Sequence, residues 1–216
     1  MALADWSPKT ELGQKVLKKE TGGLDSILSS GQVILEPEIV DFLMPELKTD
    51  VVYIGGSPGK GGGIRRTATR RTARMHKSGR RYKLSAMVVI GNENGIVGLG
   101  KASSREHRTA IEKATTQAKL SVIRVRRGCG NWECVCNGTH SIPFRTSAKT
   151  GSVTVTISPA PKGVGLVANK PVRNILMLAG IKDAWVATEG QTQTRTNLML
   201  AVFAALKSLN KTKGDI

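Results

Sequence analysis

Two stretches of this chain hold residue types that could do chemistry. The first is GGSPGKGGGIRR, Gly55 to Arg66, which has the glycines and lysine of a phosphate-gripping loop. A nucleotide loop of the form G-x-x-x-x-G-K-[ST] needs its first glycine to close the turn and its hydroxyl to hold magnesium. Aligned on Gly59-Lys60, the first position is Ile54 and the last is Gly61, so the chain offers the metal no direct ligand. Longer polyphosphates fit better. Lys60, Arg65, Arg66, Arg70, Arg71, Arg74, Lys77, Arg80, Arg81 and Lys83 are the ten cations of residues 51–83, which contain no acid. Guanidinium groups fork onto successive phosphates, and the interleaved glycines let the backbone approach closely. The plainer alternative is a solvated charged loop.

The second stretch is RRGCGNWECVCNGTH, where Cys129, Cys134, Cys136 and His140 form C-x4-C-x-C-x3-H. Four such ligands within twelve residues could close a tetrahedral zinc site. The tight C-x-C grip is less specific than the C-x2-C of a zinc ribbon, and three reduced cysteines packed in a short insert is the competing reading.

Other candidates are weaker. GIVGLG at 95–100 has the wrong glycine order for a dinucleotide fingerprint and reads as a strand along which another backbone or RNA passes closely. His76 and His107 sit among arginines, where phosphate contact or exposure is expected before acid–base work. PAPKGVGL at 159–166 puts Lys162 on a bend that is either a strand-ending turn or a contact loop. No Ser-His-Asp or paired-carboxylate pattern appears, which argues against an enzyme.

The elements that must position these residues belong to a chain of 216 residues with 39% hydrophobic and 4% aromatic content, enough for one or two thin layered domains. Its net charge of +17 calls for a polyanion. That charge is segregated: residues 1–50 carry nine acids against five lysines, whereas 51–83 hold ten cations alone. There is no run of 18 apolar residues, and MALADWSPKT lacks the pattern of a leader, so no membrane span and a cytoplasmic site are expected. Three cysteines, an odd number, suit a reducing compartment.

Residues 1–46 read as an extension with one or two short helices that packs on a neighbour. VVYI at 51–54 suggests a first strand, and 55–81 a functional loop of about 27 residues that only an external surface would order. YKLSAMVVI predicts a strand burying one face through Tyr82, Leu84, Ala86 and Val88. A turn at Gly91–Gly95 and the return strand IVGLG complete a hairpin. A capping box at Ser103-x-x-Glu106 then opens a helix with Ile111, Ala114, Thr115, Ala118 and Val122 inward, and with Arg105, Arg108 and Lys119 outward. From residue 123 a second unit is expected. It comprises strands at IRVRRG, SVTVTISPAP and DAWVATEG, and helices at KPVRNILMLAG and NLMLAVFAALKSLN, the last with Leu198, Ala201, Val202, Ala205, Leu206 and Leu209 in the core. The fold class is α+β.

SGRRYKLSAMVVIGNENGIVGLGKA at 78–102, SIPFRTSAKTGSVTVTISPAPKGVGLVANKPVRNILMLAGIKDAW at 141–185 and the closing NLMLAVFAAL together resemble small-subunit ribosomal protein S5, the uS5 family. The cysteine-bearing insert resembles its archaeal branch. The resemblance spans roughly residues 78–210. It implies a double-stranded-RNA-binding-like domain over 47–122, followed by a βαβα domain of S5 C-terminal type over 123–216. It also implies a structural role on 16S-type rRNA beside ribosomal proteins S4 and S8, with S3 nearby. It further implies assembly and decoding functions, contact with mRNA where it enters the subunit, and no required cofactor; a structural zinc is read only from the ligand set Cys129, Cys134, Cys136 and His140. On this reading Lys77, Arg80 and Arg81 lie on the loop that reaches rRNA near the decoding region, and Arg124, Arg126, Arg127 and Lys162 join the RNA contacts. A free RNA-binding regulator or RNA chaperone on the same fold is the alternative.

Overall fold

The computed structural model describes residues 6–136 and 138–211. The expectation about the extreme N-terminus, Met1–Asp5, and the last residues of the second unit, 212–216, lie outside that description.

Three short helices come first: α1 (Glu11–Leu17), α2 (Leu24–Ser29) and α3 (Pro37–Leu43). Thr10 caps α1 by accepting the Gly13 N–H at 3.1 Å, and Pro37 opens α3 where no helical N–H partner is needed. One carboxylate clasps the segment together. Glu36 accepts from the Trp6 indole at 3.0 Å and from the Lys9 and Thr10 backbone at 2.8 and 2.6 Å. Burial alone would raise the Glu36 pKa, yet these donors together hold it below the usual range. The expectation that this extension packs on a neighbour is corrected. Val16, Leu24, Ile27, Ile34, Ile39 and Val40 are buried against this chain's own first sheet and helix. That surface is lined by alanines too small to complete a core unaided.

The first sheet contains β1 (Lys48–Val51), β5 (Gly79–Gly91), β6 (Ile96–Ser104) and β7 (Val122–Arg124) in the order β1-β5-β6-β7, with β4 (Arg70–His76) also paired to β5. Its helix is α4 (His107–Leu120). The first strand therefore lies a few residues before VVYI. The Ser103–Glu106 capping box is not formed, because Ser103 and Ser104 remain in β6 and Glu106 is itself the N-cap. Ala110, Ala114 and Ala118 face inward, and Ile111 and Thr115 sit at the margin. Lys119, expected outward, bonds Asp41 of α3 at 2.7 Å. Ile123 and Arg124, expected to open the second unit, close the first sheet instead, because the helix returns the chain to the free edge of β6.

GIVGLG passes a backbone, and that backbone is α4. A Cβ on Gly98 would stand 2.4 Å from the Ala118 carbonyl, and one on Gly100 2.1 Å from that of Ala114. Only glycine permits the helix to lie so close.

The second unit pairs β8 (Thr146–Thr150) with β9 (Val153–Pro159), then adds β10 (Leu166–Val167), α5 (Lys170–Leu178), β11 (Ala184–Glu189) and α6 (Arg195–Ser208). Sheet order is β10-β11-β9-β8, with β10 and β11 parallel across the α5 crossover. Val153, Val155 and Ile157 alternate inward, and the six α6 positions expected in the core are buried.

A one-sided β5 is the second correction. Ala86, Val88 and Ile90 face α4, but Met87 and Val89 are equally buried, in a core shared with α5, α6 and β9. Alternation cannot reveal this arrangement, because a strand covered on both faces loses its polar register. The turn after β5 completes the joint: Glu93 and Gly95 donate backbone N–H groups to the Leu178 and Ala179 carbonyls at 2.9 and 3.1 Å, satisfying the end of α5.

Gly100→Ala is expected to destabilise the chain by about 3 kcal/mol, the upper part of the usual overpacking range, because the colliding atoms belong to backbone. Guanidinium denaturation of the full chain would measure it.

Candidate functional site

Residues 55–81, expected as one long loop, are instead largely strand. β2 (Gly55–Pro58) and β3 (Ile64–Thr67) form one hairpin, and β4 and β5 form another whose two-residue loop is Lys77-Ser78. The extended backbone follows from Thr- and Arg-rich alternation, and Gly79, with φ +107°, turns the second hairpin. Lys60 lies in the glycine loop of the first hairpin.

The second hairpin is an arm. β6 covers β5 only from Leu84 onward, so Gly79–Lys83 and their partners project about 17 Å beyond the sheet at ordinary strand rise. Register decides what each face of the arm presents. Arg74 stands directly opposite Arg81, and Thr72 opposite Lys83. On the other face Tyr82 lies opposite Ala73, with the guanidinium carbons of Arg71 and Arg80 at 4.8 and 5.3 Å from its ring. Tyr82, expected inward, is therefore exposed and sandwiched between cations, because the apolar core ends at Leu84. Lys60, Arg65, Arg70, Arg71, Arg74, Lys77, Arg80, Arg81 and Lys83 are all exposed, and Arg66 is half-buried. Opposed like charges destabilise a bare hairpin, so this face is complementary to an anion.

The root of the arm is fixed. Buried Thr69 bonds His107 Nδ1 at 2.6 Å, and the Thr69 carbonyl accepts the Thr67 hydroxyl at 2.9 Å. His107 thus links the hairpins to the start of α4. A shallow groove beside that helix is lined by Tyr82, Lys83, Arg105 and Lys113, which extends the cationic face onto α4.

Arg124, Arg126 and Arg127 line a separate polar cleft of about 720 Å³ with Asp25, Asn94 and Asn210. Arg124 donates to Ser29 Oγ at 3.0 Å and lies 3.8 Å from Asp25. Arg127 donates to Asn94 O at 3.1 Å and to Gly180 O at 3.5 Å. Both brace elements that sequence separates widely.

The insert forms a compact knuckle leashed at its base by a single backbone bridge, in which Gly128 and Ser141 exchange N–H···O bonds at 2.9 and 3.0 Å. The ligand atoms of Cys129, Cys134, Cys136 and His140 all lie within 4.8 Å of one another. The Cys134 and Cys136 sulfurs are 3.0 Å apart, and His140 Nε2 is 3.0 Å from Cys136 Sγ and 3.7 Å from Cys134 Sγ. The Cys136 thiol, and then the Lys162 backbone N–H, hold the Cys134 thiol down at about 6, which makes it a thiolate at neutral pH. Against the pull of the Asn131 N–H, burial and the neighbouring thiols push Cys129 upward. A tetrahedral zinc with bonds near 2.3 Å to sulfur wants sulfurs about 3.8 Å apart; the four donor atoms converge within 4.8 Å, with the Cys134–Cys136 pair closer than that ideal.

Sequence reasoning missed the residue that orients this cluster. His140 Nδ1 lies 2.8 Å from Asp183 Oδ2 in a buried pair, leaving Nε2 to face the sulfurs. Asp183 Oδ1 accepts the Gly163 and Gly165 N–H groups at 3.1 and 2.8 Å. Exposed Lys162 therefore sits on a bend that one carboxylate ties to the knuckle. Asp183 lies 43 positions from His140, and the Lys182 and Asp183 N–H groups, just before β11, bring them together by donating to the His140 carbonyl at 2.8 and 3.1 Å.

Residues 65–126 match the family description "Ribosomal protein S5, N-terminal domain", and residues 148–216 match "Ribosomal protein S5, C-terminal domain". The chain belongs to the ribosomal protein S5 family. The "Small ribosomal subunit protein uS5" of Methanocaldococcus jannaschii is 47% identical over 97% of this chain and 89% of its own length. Those of Methanothermobacter thermautotrophicus and Pyrobaculum calidifontis are 43% and 46% identical, over 99% and 95% of this chain and 92% and 95% of theirs. The S5 match begins at Arg65, inside the first hairpin, so the cationic arm falls within the family's N-terminal domain.

Asp183→Ala is expected to cost about 3 kcal/mol, since it strands two backbone donors and one buried imidazole. Chemical denaturation of the variant beside the parent chain would show it.

Proposed function

We propose that this chain is a structural constituent of the small ribosomal subunit that binds its rRNA, acting in the cytoplasm as part of that particle. Nearly full-length similarity to proteins named for that subunit supports the reading, and the S5 family is one of ribosomal proteins rather than enzymes. Among the described residues, no helix is long and apolar enough to cross a membrane.

The single observation that carries the contact mode is the acid-free arm with Arg74 opposed to Arg81. RNA phosphates relieve that repulsion, and the core-anchored half of β5 holds the arm in a fixed direction. Arg65, Arg66, Arg70, Arg71, Arg74, Lys77, Arg80, Arg81 and Lys83 bind phosphate along the two hairpins, with Lys60 at the glycine tip. Arg126 and Lys162 add contacts on the second unit, and Arg124 and Arg127 hold their cleft in shape while facing the same strand. The work is positional: cations neutralise folded 16S-type rRNA and the joined units keep neighbouring segments in register. Of the N-terminal extension expected over 1–46, residues 6–46 cover the sheet of the RNA-facing unit, and the βαβα unit completes the scaffold. Ribosomal proteins S4 and S8 are the proposed neighbours, with S3 close by. The arm extends toward mRNA where it enters the subunit and supports decoding accuracy and assembly.

The knuckle holds a structural zinc through Cys129, Cys134, Cys136 and His140. The donor set, its mutual spacing and the Asp183–His140 pair behind it support this assignment. The ion would join the insert to the β10–β11 region and would do no catalysis.

Neutralising six to ten phosphates should make rRNA affinity fall roughly 10³- to 10⁵-fold between 50 and 200 mM salt. Arg74→Ala with Arg81→Ala should reduce that slope by about two charges, measured by filter binding across a salt series. Salt-insensitive binding would refute the arm as the contact surface. Elemental analysis of purified protein should find about one zinc per chain, and Asp183→Asn should weaken retention against a chelator about 10- to 100-fold. Substoichiometric metal with no response to chelation would exclude zinc.

A further inference from the structure

The tip of the knuckle is dressed unlike the rest of the surface. Trp132 is 91% exposed and Val135 fully so, although the chain has only three tryptophans. The loop beneath them is rigidly held: Asn131 Oδ1 accepts the Glu133 N–H at 2.9 Å, and Asn131 Nδ2 donates to the Pro159 carbonyl at 3.4 Å. Gly130 N–H bonds the Ile142 carbonyl at 3.1 Å, and Lys162 N–H reaches Cys134. An indole displayed on a fixed loop, in contact with solvent over most of its area, is poised for a partner.

The partner's chemistry follows from the surroundings. Between Arg124 and Asp183 there are nine Lys or Arg and two acids, and one of those acids, Asp183, is buried beneath His140. A polyanion is the complement of so cationic a segment. The apolar area at the tip is also small, two side chains flanked by Asn131 and Glu133, whereas a stable protein interface needs about 800 Å² per partner around an apolar centre. One ring with one aliphatic neighbour matches a single nucleobase, whose flat face stacks on indole without regard to sequence.

We infer that Trp132 is a stacking platform for an unpaired base of the small-subunit rRNA, with Val135 packing at the base edge. The inference rests on the rRNA-binding reading above and gives the knuckle its purpose: the cysteine cluster and Asp183 hold the ring at a set height while cations of the second unit grip the flanking phosphates.

The test uses small subunits reconstituted with full-length, zinc-loaded protein carrying Trp132→Ala or Trp132→Phe, probed by base-specific chemical modification of the rRNA. Trp132→Ala should uncover one or two unpaired bases that the parent protein protects, and should lower affinity for the rRNA roughly 5- to 100-fold, the range for removing one stacked base. Trp132→Phe should retain the protection. Metal content and unfolding midpoint serve as controls, and an exposed side chain should leave both unchanged. If no base responds to Trp132→Ala while protections that depend on Arg74 and Arg81 persist, the inference is overturned and rRNA binding stands. Crosslinking of Trp132 to another ribosomal protein, or equal loss in the Phe variant, also overturns it.

Discussion

The burial of β5 on both faces is the constraint on which the molecule depends. One half of this 13-residue strand is clamped between α4 with the N-terminal helices on one side and the second unit on the other. The other half leaves the core and carries Arg80, Arg81 and Lys83 into solvent. A two-stranded ribbon is marginal alone in water. Here its direction is inherited from a strand that cannot shift by one residue without turning Met87 and Val89 out of one core and Ala86 and Val88 out of the other.

Close packing supplies the clamp. Glycines in β6 let α4 settle onto the strand at backbone distance, and the turn after β5 donates to the final carbonyls of α5. Asn174 of α5 donates to Asp50 at 2.6 Å, and Arg195 of α6 to the Tyr53 carbonyl at 2.8 Å. These ties make the two S5 domains one scaffold with a continuous interior. A rigid scaffold suits a protein whose function is to fix the relative positions of RNA segments, since flexible joints would forfeit the ordering on binding.

Charge is arranged with the same division. Three acids of the N-terminal segment are engaged within the chain: Glu36 with the backbone around Thr10, Asp41 with Lys119, and Asp25 near Arg124. The arm has no internal counter-charge at all. What holds the fold together is thereby separated from the cationic surface, and in the knuckle Asp183 is buried beneath His140 while Trp132 is exposed.

Much of the design is legible in the chain itself. Cation clustering without acids marked the segment that folds as an acid-free cationic arm, because net charge survives any fold. Periodicity located α4, α6 and the alternating β9, because those faces meet one core each. The four ligands of the knuckle lie within twelve residues, so their convergence needed little beyond a local loop. Tertiary structure alone decided the rest. Polar alternation in the Arg- and Thr-rich hairpins marks no buried face, so 55–81 read as loop, whereas β2 pairs β3 and β4 pairs β5. The strand β5 looked one-sided, but Gly79–Lys83 are exposed on both faces and Ala86–Gly91 are buried on both. Asp183 and Trp132 took their roles from long-range packing, which brings a carboxylate 43 positions away beneath His140 and leaves an indole uncovered, and no local pattern encodes either distance.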